Sequence, residues 1–310
     1  MATVLITGGT GLIGQALTKA LLATKYAVII LTRDVAGKKE VSNLRYAQWN
    51  VAAQTLDSTA IQQADYIIHL AGANVADGRW TATRKQEIID SRVQSSALLI
   101  KALRENNNDV KAVISASAIG WYGLDSQVPN SKPFVETDNA ATDFLGTTCV
   151  QWEQSIEPVV ALQKRLVILR TGIVLSNNGG AYAEFKKPLR FGVAGVLGSG
   201  NQVVSWIHID DLVNLYINAI ANESWNGVYN AVAPHPVSNK VLIQAMAKAR
   251  GGFHITMPVP ELALKAALGE MSVEVLKSTT VSSKKVEATG YQFLFPTIEN
   301  AVQDLNKNAS

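Results

Sequence analysis

Gly8, Gly11 and Gly14 recur at intervals of three in Thr7-Gly8-Gly9-Thr10-Gly11-Leu12-Ile13-Gly14. The run follows the apolar stretch Val4-Leu5-Ile6 and opens a segment, Leu12 to Ala23, whose apolar residues repeat at helical spacing. Glycines in that context permit a tight turn, let backbone N–H groups approach a pyrophosphate, and allow close packing of helix on strand. The phosphate then lies at the helix N-terminus, where unpaired N–H groups and the helix dipole favour an anion. The backbone of Leu12 and Ile13 belongs to the same cradle. The spacing GxxGxxG is one residue longer in its first gap than GxGxxG, and the physics is shared. These residues read as a dinucleotide site.

The next apolar run, Ala27 to Leu31, ends in Thr32-Arg33-Asp34. An acid about 20 residues beyond the third glycine would bind a ribose 2′-OH, and Asp34 falls at that count. The strand tip itself is Thr32, with Arg33 directly after it, and an arginine there suits a 2′-phosphate. NADP(H) is favoured on these residues; NAD(H) stays possible.

Strand, helix and strand within thirty residues make a βαβ unit. Further short apolar runs at Tyr66 to Leu70, Ala112 to Ile114 and Leu166 to Leu169 alternate with helical patterns at Arg84 to Leu103 and Phe144 to Ile156. That alternation predicts an α/β fold with a mostly parallel sheet covered on both faces. After Arg170 glycine-rich loops and prolines predominate, with helices predicted over Ile207 to Ala221, Asn239 to Ala249 and Pro260 to Leu268. The domain reading is residues 1–172 plus 201–230 for the nucleotide-binding unit, and 173–200 plus 231–310 for a smaller C-terminal substrate lobe.

The chain has 310 residues, 47% hydrophobic and 17% charged, with 28 Lys+Arg against 25 Asp+Glu. That balance does not point to nucleic acid, and the apolar content excludes disorder. No apolar stretch reaches the ~18 residues of a membrane span. One cysteine, Cys149, excludes a disulfide within the chain and a multi-cysteine metal site, and four histidines show no ligand pairing. No metal is expected. The expected compartment is the cytoplasm, and the expected partner is a small-molecule substrate, with neither nucleic acid nor membrane, for a monomer or homodimer.

Beyond the glycine turn, the chain carries His69-Leu-Ala-Gly72, Asp90-Ser-Arg92, Ser115 to Gly123, Leu169-Arg-Thr-Gly172 and Trp206-Ile-His-Ile-Asp-Asp211 in order. With these it resembles the extended short-chain dehydrogenases/reductases. Within them it is similar to the NAD(P)-dependent epimerase/dehydratase-like subfamily that carries its own short C-terminal domain. The resemblance implies a Rossmann-type doubly wound parallel sheet. It implies that Leu70, Ala71 and Gly72 run along the cofactor, with Asn50 near the adenine. It also implies hydride transfer on a small substrate, with sugar- or nucleotide-bearing compounds among the candidates.

In one respect the chain departs from that pattern. Such enzymes use a Tyr and, four residues later on the same helix face, a Lys. Here those positions hold Cys149 and Glu153. A glutamate raises a neighbouring thiol's pKa and supplies no positive charge. Cys149 is open to four roles: buried filler, pocket lining, weak acid or base, nucleophile. By the resemblance Ser117 would polarise the substrate oxygen. Tyr122 is the candidate for the absent phenol, or else an aromatic packed under the loop. Arg79 and Trp80 would clamp an anionic or ring-bearing substrate, or form an interfacial cation–aromatic contact. His208 reads as structural, with Asp210 or Asp211 capping. An oxidoreductase or epimerase is one reading; a dinucleotide-binding sensor or scaffold that lost its chemistry with the dyad is the other.

Overall fold

A computed structural model describes residues 1–308. Eight strands form one sheet: β1 Thr3–Thr7, β2 Ala27–Thr32, β3 Leu44–Asn50, β4 Thr55–Leu56, β5 Tyr66–His69, β6 Ala112–Ala118, β7 Arg165–Thr171 and β8 Gly227–Ala231. Their order is β8-β7-β6-β5-β1-β2-β3-β4. All neighbours pair in parallel except β4, which runs antiparallel to β3. The chain steps outward from β1 to β2 and β3, then returns to place β5 on the other side of β1. A crevice therefore opens between the carboxyl ends of β1 and β5, the switch point at which such sheets bind ligands.

Eight helices of eight residues or more lie among the described residues: α1 Leu12–Ala23, α2 Ala82–Glu105, α3 Phe144–Ile156, α4 Gly180–Leu189, α5 Ile209–Ala221, α6 Asn239–Arg250, α7 Glu261–Leu268 and α8 Ile298–Lys307. The two-residue period of β1 explains the layering. Val4 and Ile6 join Leu17, Leu21, Leu212 and Tyr216 in the core beneath α1 and α5. Leu5 faces the opposite way, into the core with Leu98, Leu99, Leu103 and Ile156 of α2 and α3. Both faces are covered, which is why the strands read as continuous apolar runs.

The smaller lobe has a core of its own, built on Trp206, Leu242, Met246, Ile298 and Val302. Its strands form short pairs: Val193–Leu197 with Ile255–Val259, and Val203–Val204 with Val237–Ser238. Ile207 and His208, anticipated as the first residues of a helix, lie in the strand Trp206–His208, paired with Ile173–Leu175, and the helix begins at Ile209. Residues 203–208 thus make their strand pairings with segments assigned to the lobe, whereas β8 returns to the main sheet.

Candidate active site

The glycine turn is shaped by contacts that exclude side chains. Gly8 has φ +69°, and a Cβ there would lie 2.9 Å from the carbonyl carbon of Leu70. A Cβ on Gly14 would lie 2.4 Å from the Gly8 oxygen. Gly11 caps α1 without a side-chain hydrogen bond, and no acidic residue occupies the first turn. The N–H groups at this end of the helix, those of Leu12 and Ile13 among them, have no side chain competing for them. A cradle of bare backbone at an unmasked helix N-terminus fits a pyrophosphate.

At the tip of β5 a buried relay fixes the facing loop. Thr7 Oγ1 accepts from the backbone N–H groups of Leu70 and Ala71, both at 3.1 Å. Its own hydroxyl then donates to His69 Nδ1 at 2.8 Å, which leaves the ring proton on Nε2, 3.2 Å from Ser96 Oγ. Ser96 donates in turn to the Arg92 carbonyl. Burial first, and the Arg92 charge second, pull the His69 pKa down to about 3, so the ring is neutral. The following peptide is held at both ends: Ala73 N–H donates to Ser91 Oγ, and the Ala73 carbonyl accepts from Arg92 Nη1. The relay escaped sequence reading, although the order Thr7-Gly8 and His69-Leu70 was its signal.

The positions of the missing dyad are closed. The Cys149 thiol is buried and lies 3.6 Å from the Ala118 carbonyl. Burial, with Glu153 adding to it, pushes its pKa up to about 12. It is a neutral thiol, which disfavours the nucleophile role. Glu153 is buried and receives Arg170 in a fork, Nε to Oε1 at 2.8 Å and Nη2 to Oε2 at 2.9 Å. Ser117 Oγ donates to the same carboxylate at 2.6 Å. The hydroxyl proton meant for a substrate oxygen is thus directed at Glu153.

Tyr122, open to either role from the sequence, is enclosed. Its side chain is fully buried, stacked on Phe134, and donates to Asn230 Oδ1 at 2.7 Å while accepting from Arg170 Nη1 at 3.1 Å. Burial pushes the phenol up to about 12. This is the geometry of an aromatic packed under the loop rather than of a proton relay. Ser117, Glu153, Arg170, Tyr122 and Asn230 form one satisfied polar network, and Arg170 also lies 3.6 Å from the Trp121 ring centroid.

Arg79 and Trp80, the expected substrate clamp, both have partners within the chain. Trp80 is buried, with Nε1 donating to the Val75 carbonyl and its ring edge-on to Phe144. Arg79 reaches the C-terminal segment and donates to the Ala266 carbonyl at 2.6 Å, and nearby Lys85 pairs with Glu270. Lys277 pairs with Asp143, the residue that caps α3. His208 Nδ1 accepts from Asp210 N–H, so Nε2 carries the proton and faces Asp304 Oδ2 at 3.5 Å. Asp211 accepts from the N–H groups of Leu294 and Phe295. At the β2 tip Arg33 is exposed, and Asn50 Oδ1 accepts from Ala53 N–H.

Residues 4–231 match the family described as NAD dependent epimerase/dehydratase, and residues 259–305 match a domain of unknown function, DUF1731. The chain belongs to the NAD dependent epimerase/dehydratase family. Among family relatives, an epimerase family protein of Staphylococcus aureus is 36% identical over 314 residues, covering 99% of this chain and all of the relative. One from Staphylococcus saprophyticus is 37% identical over 306 residues, covering 97% and 98%. The solved structure of the human epimerase family protein SDR39U1 with NADPH superimposes with a TM-score of 0.86 at 30% identity, covering 99% of each chain. A nucleoside-diphosphate sugar epimerase of Corynebacterium glutamicum gives 0.76 at 30% identity, with 99% of this chain spanning 58% of that one.

Proposed function

We propose that this chain binds NADP(H) and uses it to move a hydride to or from a small carbonyl or hydroxyl substrate. The observation that carries the cofactor preference is Arg33. It follows the strand-tip Thr32, is exposed, and forms no ion pair among the described residues. The competing acid is occupied: Asp34 Oδ1 accepts from Ala36 N–H at 2.8 Å within its own turn. A groove of about 510 Å³ beside the glycine turn, lined by Thr10, Lys19, Lys38 and Tyr46 among others, adds positive charge on the same side. The human relative's structure contains NADPH. In this reading the cofactor supplies or takes the hydride, and the chain's own residues hold it against the Leu70-Ala71-Gly72 loop. The proton travels by solvent rather than through Tyr122. Titration of nicotinamide fluorescence tests the preference. Arg33→Ala should weaken NADPH by about tenfold, the value of one lost charge-assisted contact, and leave NADH unchanged. Equal weakening of both would overturn it.

A second reading has its own observation. Cys149 is neutral and Glu153 is already paired, so neither dyad position offers a charge for proton transfer. A dinucleotide-binding sensor or scaffold follows from that. Label exchange at the nicotinamide C4 with any carbonyl compound would eliminate it. NADPH binding without exchange, across a broad panel of carbonyl and sugar-nucleotide compounds, would eliminate the enzyme.

A further inference from the structure

Two arginines are buried among the described residues, Arg170 and Arg92. Arg170 gives its Nε/Nη2 edge to a carboxylate. Arg92 has that edge free. Its Nη1 donates to the Ala73 carbonyl at 3.1 Å and the Ile88 carbonyl at 2.8 Å, and its guanidinium lies 4.6 Å from the Trp152 ring centroid. Nε and Nη2 donate to no group of the described protein and are not sealed from solvent. No described carboxylate pairs with it; of the titratable groups acting on it, the Cys149 thiol, which favours its charge, is itself neutral at neutral pH, and Arg84 is a second cation. Burial leads in pulling its pKa down, to about 10, which leaves it protonated at neutral pH. A buried cation with no counter-charge is costly, and an anion entering beside it relieves that cost.

Its location indicates whose anion. A Cβ on Gly72 would stand 3.1 Å from Arg92 Cζ, so the guanidinium lies against the loop that lines the cofactor crevice. Its charge also reaches Cys149, which stands where the family's phenol is found, at the reacting end. The cofactor's pyrophosphate has its donors elsewhere, on the turn between β1 and α1. Building on the hydride-transfer reading, we infer that the Nε/Nη2 edge of Arg92 is a subsite for a substrate carboxylate, held against Gly72 beside the reacting carbon. Two in-plane N–H groups match the two oxygens of a carboxylate, as they do in the Arg170–Glu153 pair.

The test is calorimetric titration of the NADP⁺-loaded protein with short 2-oxo and 2-hydroxy carboxylates and with their uncharged amides. The wild type should prefer acid over amide by about tenfold or more, the magnitude of one charge-assisted fork. Arg92→Gln should abolish that preference and Arg92→Lys, which retains the cation, should keep part of it. Because Arg92 also holds the Ala73 carbonyl, NADPH affinity should fall a few-fold at most in both variants, well short of about tenfold. The inference is overturned if the wild type shows no preference, if Arg92→Gln keeps it, or if either variant loses NADPH affinity by about tenfold, which would put the edge on the cofactor. Wild-type NADPH titration checks the cofactor reading by itself, so loss of acid preference with NADPH binding intact sinks only the subsite.

Discussion

Arg170 and Arg92 both act on the Cys149 thiol, yet they differ in what answers their charge. Arg170 is answered from within: Glu153 takes its fork, Tyr122 and the Glu136 carbonyl take Nη1, and Trp121 covers its face. Arg92 is answered by two carbonyls and an aromatic ring, with no negative charge. The first arrangement is complete without a ligand and ties β6, β7, β8 and α3 together. The second is incomplete, and it borders the loop that lines the crevice. Arg170 has its counter-charge in the chain and works structurally; the open edge of Arg92 is what the proposed carboxylate subsite would use.

The sharpest way to break this contrast is to remove the partner that only one of them has. Glu153→Ala leaves Arg170 buried and uncompensated and should cost about 3–5 kcal/mol in urea unfolding. Arg92→Gln should cost about 1 kcal/mol, since it loses neutral hydrogen bonds and a stack but no counter-ion. Equal losses would make Arg92 structural as well.

The next largest effect concerns the relay under the open arginine. His69 is neutral in the fold, its pKa pulled down to about 3, whereas in the unfolded chain it takes up a proton below about 6.5. The unfolded state then binds more protons, so this contribution is full above pH 6.5 and is lost progressively as pH falls towards 3. Between pH 7 and pH 5 it amounts to about 2 kcal/mol. His69→Gln should flatten the acid limb of the stability curve by about that amount; an unchanged limb would mean the ring is not sealed.

The smallest effect belongs to the closed network. Tyr122→Phe should lose about 1 kcal/mol of stability by stranding Asn230 Oδ1, with NADPH affinity unchanged. A collapse of turnover with stability intact would return Tyr122 to the reaction.

Much of the fold was legible because the decisive signals are local. The strand–glycine–helix order of residues 3–23 needs only the apolar run, the glycines and the helical spacing, all within one short window. β3 was not legible. Leu44-Arg-Tyr-Ala-Gln-Trp-Asn50 lies towards the sheet margin and alternates polar with apolar residues, so it lacks the uniform apolar run that marks the central strands. β8 was hidden for another reason: Asn230 sits inside it, buried by partners from Tyr122 and Ser282.

The site divides the same way. Counting along α3 located Cys149 and Glu153 and gave the correct sign of the glutamate's influence on the thiol. It did not reveal that Glu153 is neutralised, because Arg170 lies on another strand. Nor does local sequence foretell that Tyr122 meets Asn230, separated by 108 positions. Arg92 stood out only as part of the run Asp90-Ser91-Arg92; its missing counter-charge is a property of the packed molecule.

The contacts from Arg79 to the Ala266 carbonyl, from Lys85 to Glu270 and from Lys277 to Asp143 bear on how this molecule can be altered. They fasten the segment after Gly72 and the first turn of α3 to residues near the C-terminus. The C-terminal domain therefore acts as a brace for two walls of the crevice. Grafting another domain in its place would have to rebuild those three grips before the crevice could keep its shape.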